Sequence, residues 1–333
     1  MSVPTRETVR ALGLCSGGLD SMVAAMVLRK QGIDVHWITF ETPFFGAGKA
    51  RKAARMLGVP LTVEDITPRY LQMLRNPPCG YGKNMNPCMD CHALMFRLAG
   101  EKMRSVGCDF LFSGEVLGQR PMSQTKPSLR YVEKHSGQQG WILRPLSAAR
   151  LPETIPEQMG LVDRSRLLGL SGRSRKPQME LARQLGITEY PAPAGGCLLT
   201  DKGYSARLRD LFEHTERCSE NELHLLKHGR HFRLDDRTKA VVGRTRKDNE
   251  KILTHVDPGR DAVLNLRDFP GPVVVVPRPV GSDALQWAAA LCAGYGKAPA
   301  DRPAAVNIEQ HGENRVVEVE PLPPDRARDY LIR

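Results

Sequence analysis

In the first part of the chain, short continuous apolar runs alternate with stretches in which apolar residues recur at helical spacing. Residues 11–15 form an apolar run, 34–40, 61–65 and 109–113 carry apolar residues between polar ones, and 141–144 offers a shorter fifth segment. Runs this short predict buried strands. Between them, residues 22–28, 47–57 and 96–106 read as helices, the second carrying Lys49, Arg51, Lys52 and Arg55. This strand–helix rhythm predicts an α/β fold with a doubly wound, mainly parallel sheet. Ligands of such sheets bind beyond the carboxyl ends of the strands, the edge on which Phe40, Ser113 and Gly114 would lie.

The pattern breaks in three places. Residues 75–91 lose periodicity and carry Pro77, Pro78, Gly80, Gly82, Asn84, Asn86 and Pro87, which predicts an insertion loop. Residues 144–177 are irregular and basic, and 191–197 form another loop rich in proline and glycine. After Tyr204 the character changes. A helix is expected at 206–214, short strands at 231–234, 240–242, 262–266, 273–276 and 316–319, and a helix at 282–295. The expected organisation is therefore a larger domain over 1–204 and a smaller α+β domain over 205–333, with no internal repeat.

Composition narrows the class. With 333 residues, 41% hydrophobic and 26% charged, the chain has the balance of a globular protein. No run reaches membrane-spanning length, and the first residues lack a signal-peptide core, so the expected location is cytoplasmic, with no membrane partner. A formal net charge of +11 favours a polyanionic partner. Eight cysteines in that compartment point to metal or catalytic thiols rather than to disulfides.

The chemistry begins at Ser16-Gly17-Gly18-Leu19-Asp20-Ser21, between the first strand and the first helix. Two glycines let backbone N–H groups close on phosphate oxygens, and the helix N-terminus adds partial positive charge. Ser16 and Ser21 bring hydroxyls, and Asp20 suits Mg²⁺ or the ordering of the loop. No Gly-Lys-Ser/Thr ending follows, so this is not a Walker A loop. A second candidate nucleotide loop runs from Phe112-Ser113-Gly114-Glu115 through Gly118-Gln119 to Ser123-Gln124, followed by Leu143-Arg144-Pro145-Leu146.

Thiols supply a third feature. Asn86-Pro87-Cys88-Met89-Asp90-Cys91 places a CxxC in the first insertion, and Cys197 follows Gly195-Gly196 in the later loop. Cys15, Cys108, Cys218 and Cys292 lie in apolar or helical contexts and read as packing residues.

Together these segments resemble the PP-loop ATPase superfamily, and within it the tRNA-thiolating 4-thiouridine synthetase and 2-thiouridylase groups, over about residues 10–200. The resemblance implies an adenine nucleotide alpha hydrolase-like fold that binds ATP·Mg²⁺. Its ATP-binding residues would be Ser16, Gly17, Gly18, Asp20, Ser21, Phe40, Ser113, Gly114 and Gln119. It implies adenylation of a uridine carbonyl oxygen, with release of pyrophosphate, and replacement of that oxygen by sulfur. Asp20, Cys91 and Cys197 would be catalytic. Cys88, Cys91 and Cys197 would hold a 4Fe-4S cluster with one open iron. Two readings compete with the cluster. Cys79 could complete a zinc tetrahedron, or Cys91 and Cys197 could act without metal through a persulfide. The sulfur would come from sulfide or from a separate donor such as a cysteine desulfurase. Too few residues precede Leu12 for the RNA-binding region of the standard 4-thiouridine synthetases, and no rhodanese-like tail is evident. RNA docking is therefore expected elsewhere.

Two basic segments are candidates for it. Arg164, Arg173, Arg175 and Lys176 could track an RNA backbone. In the smaller domain, Val242-Gly243-Arg244 followed by Asn249-Glu250 resembles the NFACT-R type RNA-binding domain, with Arg244, Arg246 and Lys247 at a helix start. The rival functions are an amide-forming PP-loop enzyme acting on a small molecule, with zinc at the cysteines, and a non-catalytic RNA-binding factor switched by ATP.

Overall fold

A computed structural model describes residues 8–192, 197–278 and 281–333. The chain divides into two compact units, Met1–Cys197 and Leu198–Arg333. The boundary expected from composition fell at 204/205. The buried Leu199 explains the earlier division, because its carbonyl accepts from Ser205 Oγ at 3.0 Å and ties the segment to the first helix of the second unit.

Unit 1 runs β1 (Arg10–Leu14), α1 (Leu19–Arg29), β2 (Asp34–Glu41), α2 (Gly48–Leu57), β3 (Leu61–Asp65), α3 (Thr67–Arg75), α4 (Cys88–Val106), β4 (Phe110–Ser113), α5 (Lys126–Ser136), β5 (Ile142–Leu143), α6 (Ile155–Gln158) and α7 (Lys176–Gln184). The five strands pair in the order β3-β2-β1-β4-β5, all parallel. The expected doubly wound sheet is present. Its order reverses between β1 and β4, so the crevice at their carboxyl ends is the switch point where such sheets bind ligands. Apolar positions of α1, α2 and α7 share one core with β1, β2 and β4.

Three differences from the sequence-based expectation bear on function. Residues 67–75 and 126–136 are helices that the reading left unassigned. In addition, α4 begins at Cys88, inside the stretch expected to be a loop. Its first turn carries Cys88 and Cys91 on a regular helix, because Pro87 at the N-cap starts a helix as readily as it breaks one.

Unit 2 runs α8 (Lys202–His214), α9 (Glu220–Leu225), β6 (Arg230–Arg233), β7 (Lys239–Val242), α10 (Arg246–Leu253), β8 (Ala262–Leu266), β9 (Val274–Val276), α11 (Gly281–Gly294), β10 (Ala304–Gln310), β11 (Glu313–Val319) and α12 (Pro324–Ala327). Its strands form one antiparallel sheet in the order β11-β10-β8-β9-β7-β6. The α+β expectation holds, although β10 went unrecognised. α11 buries Leu285, Ala288, Ala289 and Cys292 in one cluster with strand residues. Leu225, the last residue of α9, and Ile252 of α10 form a smaller cluster with Val241 and Val275. Among the described residues no helix is long and apolar enough to cross a membrane.

Candidate functional site

The loop between β1 and α1 is held by its own atoms. Gly17 has φ +68°, and a Cβ there would collide with the backbone of Lys49 and Ala50. Its N–H donates to Cys15 Sγ at 3.3 Å, while Ser21 Oγ donates to the Gly18 carbonyl at 2.8 Å. Gly18 caps α1 without a side-chain hydrogen bond, so the helix end keeps N–H groups for an anion. Cys15 is a buried packing residue, its thiol pushed up to about 11 by burial.

The second loop closes on the first. A Cβ at Gly114 would lie 2.5 Å from both the Asp20 carbonyl carbon and the Ser21 nitrogen, so glycine alone permits this approach. From the same loop, Gln119 Nε2 donates to Asp20 Oδ2 at 3.0 Å. Gln178 of α7 then donates to Gln119 Oε1 at 3.3 Å. Ser147 fastens the arrangement: its hydroxyl accepts from Leu117 N at 3.0 Å and donates to the Leu170 carbonyl at 2.7 Å. The Gly172 N–H donates to the Leu117 carbonyl at 2.8 Å. These bonds carry Arg175 and Gln178 to Asp20. The sequence reading assigned Arg175 to RNA and did not single out Gln178.

The polar accounting at this spot is incomplete. Asp20 Oδ1, Gln178 Oε1 and Arg175 Nε are buried and lack hydrogen-bond partners. Buried polar atoms are normally satisfied, and a cluster of exceptions marks a ligand position. Burial raises the Asp20 pKa, opposed by the Gln119 hydrogen bond and the charge of Arg175. An acceptor carboxylate and a guanidinium donor converging on a glycine loop fit a phosphate chain with its Mg²⁺. A cavity of about 360 Å³ lies alongside, lined by Gly17, Met22, Lys49, Lys52 and Tyr190 among others. Other expected nucleotide residues are committed to the protein itself. Ser113 Oγ donates to Glu115 Oε2 at 3.1 Å, and Phe40 is a core side chain, 3% exposed.

The three chosen thiols come together. Tyr70 of α3, fully buried, hydrogen-bonds Cys91 and lies near Cys197 and Cys88. Burial pushes the Cys91 thiol up to about 12, helped by the nearby Cys197 and Cys88 and opposed by the Tyr70 hydrogen bond. Cys79 is exposed and bonded elsewhere: its N–H donates to Asp90 Oδ2 at 2.9 Å, and its thiol is hydrogen-bonded to Tyr131. The donor set suits a thiolate-bound metal, with Cys79 the outlier. Among the described residues no three His, Cys, Asp or Glu side chains are arranged to hold an ion as they stand. Gly195 and Gly196, beside Cys197, lie outside the described residues.

A buried ion network lies between the two sets. Glu115 accepts from Arg144 Nε at 3.1 Å and from His92 Nδ1 at 3.1 Å, and Arg144 also pairs with Glu133. Burial alone would raise the Glu115 pKa, but Arg144 and His92 bring it down to about 2. Arg144, 3% exposed, is held by these two carboxylates, with its Nη2 buried and left without a hydrogen-bond partner.

The expected RNA residues separate. Arg164 is spent on the fold, donating to Glu157 Oε1 at 2.6 Å and to the carbonyls of Ala148 and Leu151 at 2.9 Å, so its assignment to RNA is corrected. Arg173 and Lys176 are exposed. In unit 2, Arg244 pairs with Asp248 at 2.7 Å and Arg246 with Glu250 at 3.0 Å, both on the outer surface of α10. Lys247 is exposed beside them.

Residues 6–155 match the family model of the thiamine biosynthesis protein (ThiI), and residues 229–331 match that of the NFACT protein RNA binding domain. The tRNA-specific 2-thiouridylase MnmA 1 of Syntrophus aciditrophicus (strain SB) is 26% identical over 224 residues, covering 60% of this chain and 55% of the relative. The tRNA-specific 2-thiouridylase MnmA of Syntrophotalea carbinolica is 38% identical over 114 residues, 30% of this chain and 32% of the relative. The chain thus spans about half the length, or less, of these relatives. Among solved structures, a predicted subunit of tRNA methyltransferase from Methanocaldococcus jannaschii is 16% identical, covers 53% of this chain and 76% of that one, and has a TM-score of 0.35.

Proposed function

We propose, on the premise that this chain carries a ThiI-type PP-loop domain over 6–155 and an NFACT-type RNA-binding domain over 229–331, that it is an ATP-dependent tRNA-uridine thiolating enzyme. The observation that carries the reading is the convergence on Asp20 of two loops and α7, with buried polar atoms left for a ligand.

The α1 N-terminus and Arg175 would receive the β- and γ-phosphates of ATP, and Asp20 would hold the Mg²⁺ that offsets their charge. A uridine carbonyl oxygen attacks the α-phosphorus. The new O–P bond replaces the bond to the bridging oxygen, and pyrophosphate leaves into donors already in place. The activated carbon then accepts sulfur, and AMP departs with the former uridine oxygen. Cys88, Cys91 and Cys197 would hold a 4Fe-4S cluster, which supplies an open iron able to carry sulfide. Tyr70, itself fully buried, donates to the Cys91 sulfur. Sulfide or a separate donor such as a cysteine desulfurase would provide the sulfur. Without metal, one of Cys91 and Cys197 would take sulfane sulfur from the persulfide of a donor such as a cysteine desulfurase, not from sulfide, and the other would resolve it, leaving a disulfide that an external thiol reductant reopens. RNA would dock on unit 2 through Arg244, Arg246 and Lys247, with Arg173 and Lys176 as further phosphate contacts.

The test uses protein purified without oxygen. Iron, acid-labile sulfide and zinc are measured, followed by tRNA thiolation with ATP and sulfide and by release of AMP and pyrophosphate. About four irons and four sulfides per chain support the cluster. One zinc and no iron would favour the small-molecule amidation reading, and no metal the persulfide route. Asp20→Ala should stop AMP release and keep the iron, and Cys197→Ala should do the reverse. Full thiolation by both variants would sink the site assignment.

A further inference from the structure

Unit 2 contains a cluster of three histidines that neither the basic motif nor the matched family range includes in full. His224 lies in α9, His228 in the turn before β6, and His255 just past α10. The His224 and His255 rings are 4.9 Å apart with planes inclined by 12°, and the His228 and His255 rings are 5.9 Å apart and inclined by 9°. Their meeting follows from the packing. Leu225 and Ile252 are buried in one cluster over β7 and β9, so the ends of α9 and α10 are drawn together and their flanking histidines stack.

The stack is half-buried, with three cations beside it and one carboxylate, Asp248, which pairs with Arg244 at 2.7 Å. Lys227 Nζ lies 2.7 Å from His224 Nδ1, and Lys251 and Arg244 are exposed nearby. Burial lowers all three imidazole pKa values, and Lys227 lowers them further; neighbouring histidines add to this for His224 and for His255, which falls to about 4, while Asp248 opposes it at His228. At neutral pH the rings are therefore uncharged. Among the described residues no three His, Cys, Asp or Glu side chains are arranged to hold a metal ion, these rings included. A stepped stack of half-buried neutral rings flanked by ammonium and guanidinium groups is instead suited to extending the stack with an unpaired nucleobase and holding its flanking phosphates. A duplex offers no free base face, and an acidic peptide would use the cations but not the rings.

We propose that His224, His228 and His255 form a stacking platform for unpaired bases of single-stranded RNA, with Lys227, Lys251 and Arg244 holding the adjacent phosphates. The proposal rests on the reading of unit 2 as an RNA-binding domain and adds the ligand class and its position.

The test is fluorescence anisotropy of the full chain with a labelled oligouridylate of about 10 nucleotides, across a salt series, with duplex RNA in parallel. Wild type should bind the single strand more tightly than the duplex. His255→Ala should weaken single-strand binding about tenfold with an unchanged salt slope, while His255→Phe, which keeps a ring, should stay within about twofold. Lys251→Ala should instead reduce the salt slope by about 0.7. Thermal melts confirm that each variant is folded. Wild-type affinity in a folded His255→Ala, or equal loss in His255→Phe, overturns the platform while leaving the RNA reading intact. A wild-type chain that binds neither the oligomer nor tRNA overturns both.

Discussion

His92 Nδ1 donates to Glu115 Oε1 at 3.1 Å, and this bond joins the cysteine-bearing helix α4 to the loop that closes over Asp20. A carboxylate only accepts, so the proton resides on Nδ1. Glu115 belongs to the candidate nucleotide loop, and His92 follows Cys91 directly. One buried carboxylate, which Arg144 also holds, therefore ties the cysteine-bearing helix to the candidate phosphate site.

That carboxylate should appear in the acid stability of the protein. Its folded pKa, about 2, lies below the unfolded value, so the stabilisation is present above about pH 4.5 and is lost as pH falls through the folded pKa. The difference corresponds to roughly 3 kcal/mol. Denaturation of wild type and Glu115→Gln between pH 6 and about pH 2 should show a steeper loss in wild type. Glu115→Gln should also be less stable at pH 7, because the buried Arg144 loses one of its two carboxylate partners. Parallel curves would remove Glu115 from this role.

Gln119→Leu should separate the nucleotide site from the fold. It deletes the donor to Asp20 and the acceptor from Gln178, both at the partly satisfied cluster. Losing a hydrogen bond to a charged group corresponds to about tenfold weaker ATP binding. Isothermal titration with a non-hydrolysable ATP analogue would measure this, with the melting temperature as control. Unchanged affinity would show that the Gln119–Asp20 bond plays no part in nucleotide binding.

Gly114→Ala is the smallest change that should disable the site. Its methyl group would meet the Asp20–Ser21 backbone at 2.5 Å, and neither segment can swing away as a flexible side chain would. The PP-loop must then shift, and a displacement of about 1 Å at a reacting site costs on the order of 100-fold in rate. Single-turnover AMP release should fall accordingly. Cluster or zinc content, if present in wild type, should be retained.

Two arginines from the candidate RNA set should behave in opposite ways. Arg164→Ala removes bonds to Glu157 and to two backbone carbonyls, so it should lower the melting temperature and leave the salt dependence of tRNA binding unchanged. Arg246→Ala removes only an exposed pair with Glu250, worth a few tenths of a kcal/mol in stability, and should reduce the salt slope by about one. If Arg164→Ala alone altered the slope, its burial in the fold would not be its main role.

Much of the architecture was legible along the chain because the signals are local. A buried parallel strand announces itself in five to seven apolar residues, and the glycine loop in six, so the sheet, the switch-point edge and the PP-loop were all visible. The choice of Cys88, Cys91 and Cys197 also came from the sequence, and the structure gathers them at Tyr70. The helical start at Cys88 was masked by Pro87 and the run of asparagines and glycines before it. β10 was missed because its apolar content is diluted by Asn307 and Glu309.

The sequence by itself determined the two-part organisation, the parallel sheet and the residue types available for phosphate and sulfur chemistry, since each is encoded within one strand, helix or loop. Only the tertiary structure decided which of those residues meet. Gln119 reaches Asp20 across 99 positions, and Arg175 turns from a presumed RNA contact into a neighbour of the PP-loop through the Ser147 tie. Arg164 and Arg144 are absorbed into ion pairs, and three scattered histidines become one stack. The physical reason is the same in each case. Basic side chains carry identical charge in every sequence context, and only the burial and partners imposed by packing distinguish a structural pair from a site.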